Sequence, residues 1–142
     1  YDVDYPVFLD SESAGGSGRA DWLEADERTK VHKAFLETIS AAGYETGVYG
    51  SRNWLNEQVN MKDLSDYKTW LAEYAEVPQY DAYYHMWQYT SKGTVDGIDT
   101  DVDLNLSYMN IDTSINHAKG AEGYSGVIDG DSGNVPVGSD DE

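Results

Sequence analysis

Two periodicities of apolar residues run along this chain, and the switches between them mark its elements. Tyr5-Pro6-Val7-Phe8-Leu9 is a short apolar run rich in strand formers and predicts a first strand. Ser13 to Ala20, dominated by glycine and small residues, predicts a mobile loop leaving that strand. The period then lengthens. Val31, Phe35, Ile39 and Ala42 recur at helical spacing, so a helix is expected to start between Asp21 and Asp26, bury that stripe against a sheet and stop at Gly43. Further strands are expected over Tyr44–Gly50, Trp70–Tyr74, Tyr83–Thr90 and Val102–Leu106, with a turn and short helix over Lys62–Lys68. Strand, helix and strand in succession imply parallel pairing early on, while the later strands leave little room for crossover helices. The fold class is therefore α/β.

After Tyr108 the residues shift towards Gly, Asp and Ser, which divides the chain into a folded domain over 1–115 and an acidic, Gly-rich tail or linker over 116–142. Within that tail, Val127-Ile128 and Val135-Pro136-Val137 are the segments able to dock locally. The 142 residues, 39% of them hydrophobic and 13% aromatic, suffice for one domain with a real core. Apolar stretches of only a few residues exclude a membrane span, and nothing in the first residues given resembles a charged, apolar and cleavable leader. With no cysteine, disulfides, thiolate metal ligands and a thiol nucleophile are all excluded. A formal charge of -18 argues against nucleic acid and anionic membrane surfaces, since both are bound through Lys and Arg.

The first strand delivers two carboxylates at its end, Asp10 and Glu12. Alternate side chains of a strand share a face, so the two project together, roughly 6–7 Å apart at their first side-chain carbons. Close carboxylates with unequal surroundings supply a proton donor and an anion beside one bond, which is what glycoside hydrolysis needs. Bland readings of the same tripeptide are a solvated strand end or a pair of calcium ligands. Calcium has further support in Asp99, Asp101 and Asp103, which imitate the opening of an EF-hand loop. The imitation breaks where Leu104 replaces the turn glycine and Asn110 replaces the closing glutamate. Asp129 to Gly133 forms a second imperfect loop. His32, His85 and His117 have no metal-triad spacing and are expected to serve packing or surface roles.

Several segments stand in an order that resembles the family 25 glycoside hydrolases, the N-acetylmuramidase lysozymes. They are Tyr5 to Glu12, Ala42 to Gly50, Trp70 to Tyr74, Met86 to Tyr89 and Val102 to Asn105, with Asn53-Trp54-Leu55 also similar. The resemblance implies a modified TIM-like (β/α) barrel whose first three strands have no counterpart before Tyr1. Five strands leave open edges, so a preceding segment or self-association is expected to complete the barrel. The resemblance further implies Glu12 as general acid, Asp10 as its partner carboxylate and Asp103 as the active-site aspartate of the final strand. It also implies that the substrate's own N-acetyl group acts as nucleophile, with Asp10 orienting or charge-stabilising the resulting ring. The residue between the carboxylates is more often apolar in the family, and Ser11 departs from that on the face where packing rather than chemistry is expected.

Tyr49, Tyr74, Trp87 and Tyr89 are candidates for a sugar cleft, because pyranose faces stack on aromatic planes, although strand aromatics also serve cores. Gln88 either faces the opposite side or reaches a sugar amide. The implied activity is hydrolysis of peptidoglycan glycan strands at the β-1,4 bond after N-acetylmuramic acid, without metal or organic cofactor, extracellular or wall-directed. The alternatives are a non-catalytic glycan-binding remnant and a calcium-binding structural domain.

Overall fold

A computed structural model of the chain describes residues 3–109, so the expected tail, its second calcium-like loop and His117 lie outside the described residues. Strands β1 (Val7–Asp10), β2 (Thr46–Ser51), β3 (Lys68–Ala72), β4 (Met86–Gly93) and β5 (Val102–Ser107) form one sheet in sequential order. The first four strands pair in parallel, and β5 returns antiparallel to β4. Helix α1 (Ala25–Ala41) supplies the crossover between β1 and β2, and α2 (Arg52–Glu57) with a 3₁₀ turn at Met61–Leu64 connects β2 to β3. Register shifts between Gln88 and Gly93 bulge the last hairpin, which bends its strands.

Local chemistry explains the helix ends. Asp26 and Glu27 in the first turn of α1 oppose the positive end of its dipole. At the other end Gly43, at φ +91°, donates to the Ser40 carbonyl while Tyr44 N–H reaches that of Ile39, a left-handed glycine stop of the kind the sequence predicts. Ser51 caps α2 by accepting from Trp54 N–H at 3.3 Å. That helix was not expected: its single turn and a half is too short to display a period.

The buried face of α1 corrects the expected stripe. Arg28, Thr29, His32 and Leu36 are the buried residues, with Phe35 packed beside them, while Val31 is 57% exposed and Ala42 is exposed. Three of the four buried positions are polar and hydrogen-bond to the backbone or to side chains of other segments, so a hydropathy pattern favours the wrong angular setting. Thr29, for instance, donates to the Ala25 carbonyl and accepts from Asn60 N–H.

Side chains alternate across the sheet and separate its two faces. Val48, Leu71 and Trp87 project towards the helices, where they join Leu36, Leu55, Val59, Leu64 and Tyr80 in the hydrophobic core. Each buried aliphatic side chain there contributes about 1.5–3 kcal/mol of transfer free energy. The other face carries Phe8, Asp10, Tyr49, Trp70, Gln88 and Asn105, with Asp10 opposite Tyr49 and Tyr49 opposite Trp70 in the registers. Gly47 makes room for this layer, since a Cβ there would lie 2.6 Å from the Phe8 ring.

Candidate active site

The polar face of the sheet is built around Trp70. Phe8 and Tyr49 meet its ring edge to face, with centroids 5.4 and 5.0 Å away, and its indole N–H donates to Asn105 Oδ1 at 2.9 Å. Gln88 lies beside it, 3% exposed, and its Oε1 accepts from both the Tyr49 hydroxyl at 3.0 Å and the Tyr74 hydroxyl at 2.8 Å. The two phenols thus fix the amide, directing its nitrogen elsewhere as a donor.

Over this floor lies a pocket of about 420 Å³ lined by Phe8, Asp10, Glu12, Tyr49, Trp70, Tyr74, Gln88 and Asp103. The three carboxylates singled out in the sequence therefore meet in one cavity, although Asp103 is separated from Glu12 by most of the chain. Asp10 ends β1 and Asp103 lies in β5 at the opposite side of the sheet. Curvature of the sheet is what brings them to a common pocket. A neighbouring pocket of about 510 Å³ shares Glu12, Tyr49 and Tyr74 and extends over Ser13, Ser51, Arg52, Asn53, Trp54, Ala72 and Glu73. Glu12 stands at the junction of the two.

Electrostatics record the same convergence. Burial, then Tyr74, Glu12, Asp10 and Asp103 in that order, push the Tyr49 hydroxyl up to about 12. Tyr49 is therefore a neutral hydrogen-bond donor over the whole physiological range. In the second pocket Arg52 pairs with Glu73 at 3.0 Å, and the other Glu73 oxygen accepts from Gln79 N–H at 3.0 Å. These bonds hold the loop after β3 in place.

Two of the expected cleft aromatics lie elsewhere. Trp87 is 6% exposed in the core and donates to the Glu73 carbonyl at 2.8 Å, and Tyr89 packs beside it with ring centroids 5.8 Å apart. Both project from β4 on the side away from Gln88, because adjacent residues of a strand face opposite ways. Tyr49, Tyr74 and Gln88 do line the cleft. Phe8, Trp70, Arg52 and Glu73 also line it and were not singled out. For Phe8 a signal existed in its position two residues before Asp10, on the same face of β1.

Among the described residues no cluster of three or more His, Asp or Glu side chains has a geometry that holds a metal ion. Asp99 and Asp101 are exposed in the turn between β4 and β5, apart from the pocket that Asp103 lines. Among the described residues, too, no helix is long and apolar enough to cross a membrane.

No match is found among curated proteins. Solved structures give clear likenesses. The CTP1L endolysin is 30% identical with a TM-score of 0.57, over 72% of this chain and 34% of that one. The modular autolysin LytC from Streptococcus pneumoniae is 28% identical with a TM-score of 0.63, over 73% of this chain and 26% of that one, and it has also been solved in complex with a synthetic peptidoglycan ligand. A family 25 glycosyl hydrolase from Bacillus anthracis shares the fold at 19% identity and a TM-score of 0.61, over 74% of this chain and 50% of that one. The chain spans about a quarter to a half of the length of these relatives, and its sheet corresponds to part of their TIM-like α/β barrel. The model of the glycosyl hydrolases family 25 matches residues 1–98, and with a cleft gathering Asp10, Glu12 and Asp103 the chain belongs to that family.

Proposed function

We propose that this chain carries the proton-donating half of a peptidoglycan hydrolase, an N-acetylmuramidase that cuts the β-1,4 bond between N-acetylmuramic acid and N-acetylglucosamine. The observation that carries this reading is the pocket in which Asp10, Glu12 and Asp103 face an aromatic floor of Tyr49 and Trp70. Membership of family 25 and likeness to an endolysin and an autolysin support wall glycan as the substrate. Such a protein works outside the cell or on the wall.

Glu12, exposed at the junction of the two pockets, protonates the glycosidic oxygen as the bond breaks. Asp10 stabilises the positive charge that develops on the sugar ring, or orients the substrate's N-acetyl group as that group attacks the anomeric carbon. Asp103 adds negative charge on the far wall of the cleft, where it favours a cationic transition state. Gln88 supplies a neutral amide donor to sugar oxygens, the Tyr49 oxygen accepts from sugar hydroxyls while its proton is held by Gln88, and Trp70 supplies the apolar surface beneath the ring. No metal or organic cofactor enters these steps.

A second reading, non-catalytic glycan binding, draws on the share of the relatives' length that the chain spans. Glu12→Gln separates the two. The amide preserves shape and loses the transferable proton, so clearing of purified walls by an active wild type falls about 10²–10⁴-fold while wall binding persists. A variant retaining more than about a tenth of the wild-type rate removes Glu12 from the general-acid role. Wild-type protein that binds walls without clearing them establishes the second reading.

A further inference from the structure

We propose that Ser11 and His32 are positioning residues that aim the flanking Asp10 and Glu12 carboxylates into the cleft, an inference that rests on the glycosidase reading above. Ser11 stands between the two carboxylates but turns its side chain to the opposite face, where it is 5% exposed. Its Oγ accepts from Trp54 Nε1 at 2.9 Å and lies 3.1 Å from His32 Nε2. An indole nitrogen only donates, so the serine oxygen is the acceptor in that bond, and its proton or its second lone pair meets His32 Nε2 according to the imidazole tautomer.

Either arrangement is costly. His32 Nδ1 is buried without a hydrogen-bond partner, and an apolar pair at positions 11 and 32 would fill the same space with no unmet polar atom. The network therefore does not explain itself as packing. Geometry does explain it, because it ties three elements to the one residue separating the carboxylates. Ser11 N–H donates to the Tyr49 carbonyl at 2.9 Å, which extends the β1–β2 ladder past the end of β1. His32 holds the side chain from α1 and Trp54 holds it from α2. Trp54 is itself clamped: the Arg28 guanidinium sits 4.6 Å from its ring centre and is anchored to the Gln58 and Ala20 carbonyls at 3.0 and 2.9 Å. With the Ser11 backbone and side chain both fixed, residues 10 and 12 have one way to project.

Burial and then the nearby Arg28 charge push His32 down to about 4, so the imidazole stays neutral through neutral pH. Ser11 and His32 line neither pocket and act only through Asp10 and Glu12.

The test uses the 142-residue chain with Ser11→Ala, His32→Leu and His32→Gln, the last of which returns a hydrogen-bonding amide towards Ser11. Two readouts are taken: kcat and KM on purified walls, and the carboxyl ¹³C shifts of Asp10 and Glu12. Ser11→Ala and His32→Leu are expected to lower kcat at least about tenfold with KM within about twofold, as small misplacements of reacting groups do. Both should displace the two carboxyl resonances, and His32→Gln should restore rate and shifts towards wild type. Resonances unmoved in Ser11→Ala overturn the proposal whether or not walls are cleared, and so does an unchanged kcat beside moved resonances. Ser11→Ala deletes a single oxygen and decides the matter if His32→Leu fails to fold. Folded wild type that leaves walls intact overturns the glycosidase reading alone, with the resonances still judging the positioning.

Discussion

The Tyr49 hydroxyl donates to Gln88 Oε1 at 3.0 Å, joining β2 to β4 across the intervening strand, and Tyr74 reaches the same oxygen at 2.8 Å from the loop after β3. One amide oxygen thus fastens both phenols to the floor of the cleft. Because Trp70 is held edge to face by Tyr49, this bond also sets the surface on which a sugar ring would rest.

Tyr49 should titrate anomalously. Its hydroxyl is pushed from 10.0 up to about 12, so the folded protein keeps a proton that the unfolded chain releases. The contribution of this group to stability is fully present below pH 10 and is lost as pH rises from 10 towards 12. Spectrophotometric titration of wild type against Tyr49→Phe should show the missing phenol ionising last. The substitution should also cost about 1 kcal/mol through its lost hydrogen bond. A difference spectrum centred near pH 10 would contradict the carboxylate-lined setting.

Asp103→Asn distinguishes a hydrolytic cleft from a calcium loop. Removing one anion from a pocket shared with Asp10 and Glu12 should lower wall hydrolysis while leaving thermal stability level or raised. Millimolar calcium should leave the melting temperature of both proteins unchanged. If wild type melts higher with calcium and the variant does not, Asp103 belongs to an ion site and its enzymatic assignment fails.

His32 makes stability depend on pH at the acid end. The unfolded chain takes up a proton as pH falls through 6.5, whereas the folded chain resists until about 4. Stability is fully present above 6.5 and is lost progressively down to about 4. Urea midpoints of wild type and His32→Gln should therefore converge as pH falls across that window. Carboxylates contribute equally to both proteins, so parallel midpoints would mean that His32 is free to charge in the fold.

Open strand edges predict association. Among the described residues nothing pairs with the outer side of β1 or β5, and an unpaired edge invites another strand. Light scattering of the 142-residue chain should give a mass that increases with concentration. A constant single-chain mass together with a cooperative melt would show that these edges are protected.

Much of this architecture is written locally. The apolar run at Val7–Leu9, the glycine stop at Gly43 and the short strands around Val48, Leu71 and Trp87 follow from side-chain volume and backbone preference, and each lies near its expected place. The order of motifs also identified the family and nominated Asp10, Glu12 and Asp103. Angular and long-range relations needed the assembled molecule. Which side of α1 is buried depends on polar partners supplied from elsewhere, such as Ser11 for His32 and Gln58 for Arg28, so periodicity nominated Val31 instead. Whether an aromatic of β4 meets the cleft or the core depends on strand register, which shifts by a full face with each residue. Sequence proposed Trp87 and Tyr89 for the cleft; pairing of Ala72 with Gln88 turned the glutamine inward and sent both rings to the helices. Sequence determines what each residue prefers, and the curvature of the sheet decides which distant carboxylates share a pocket.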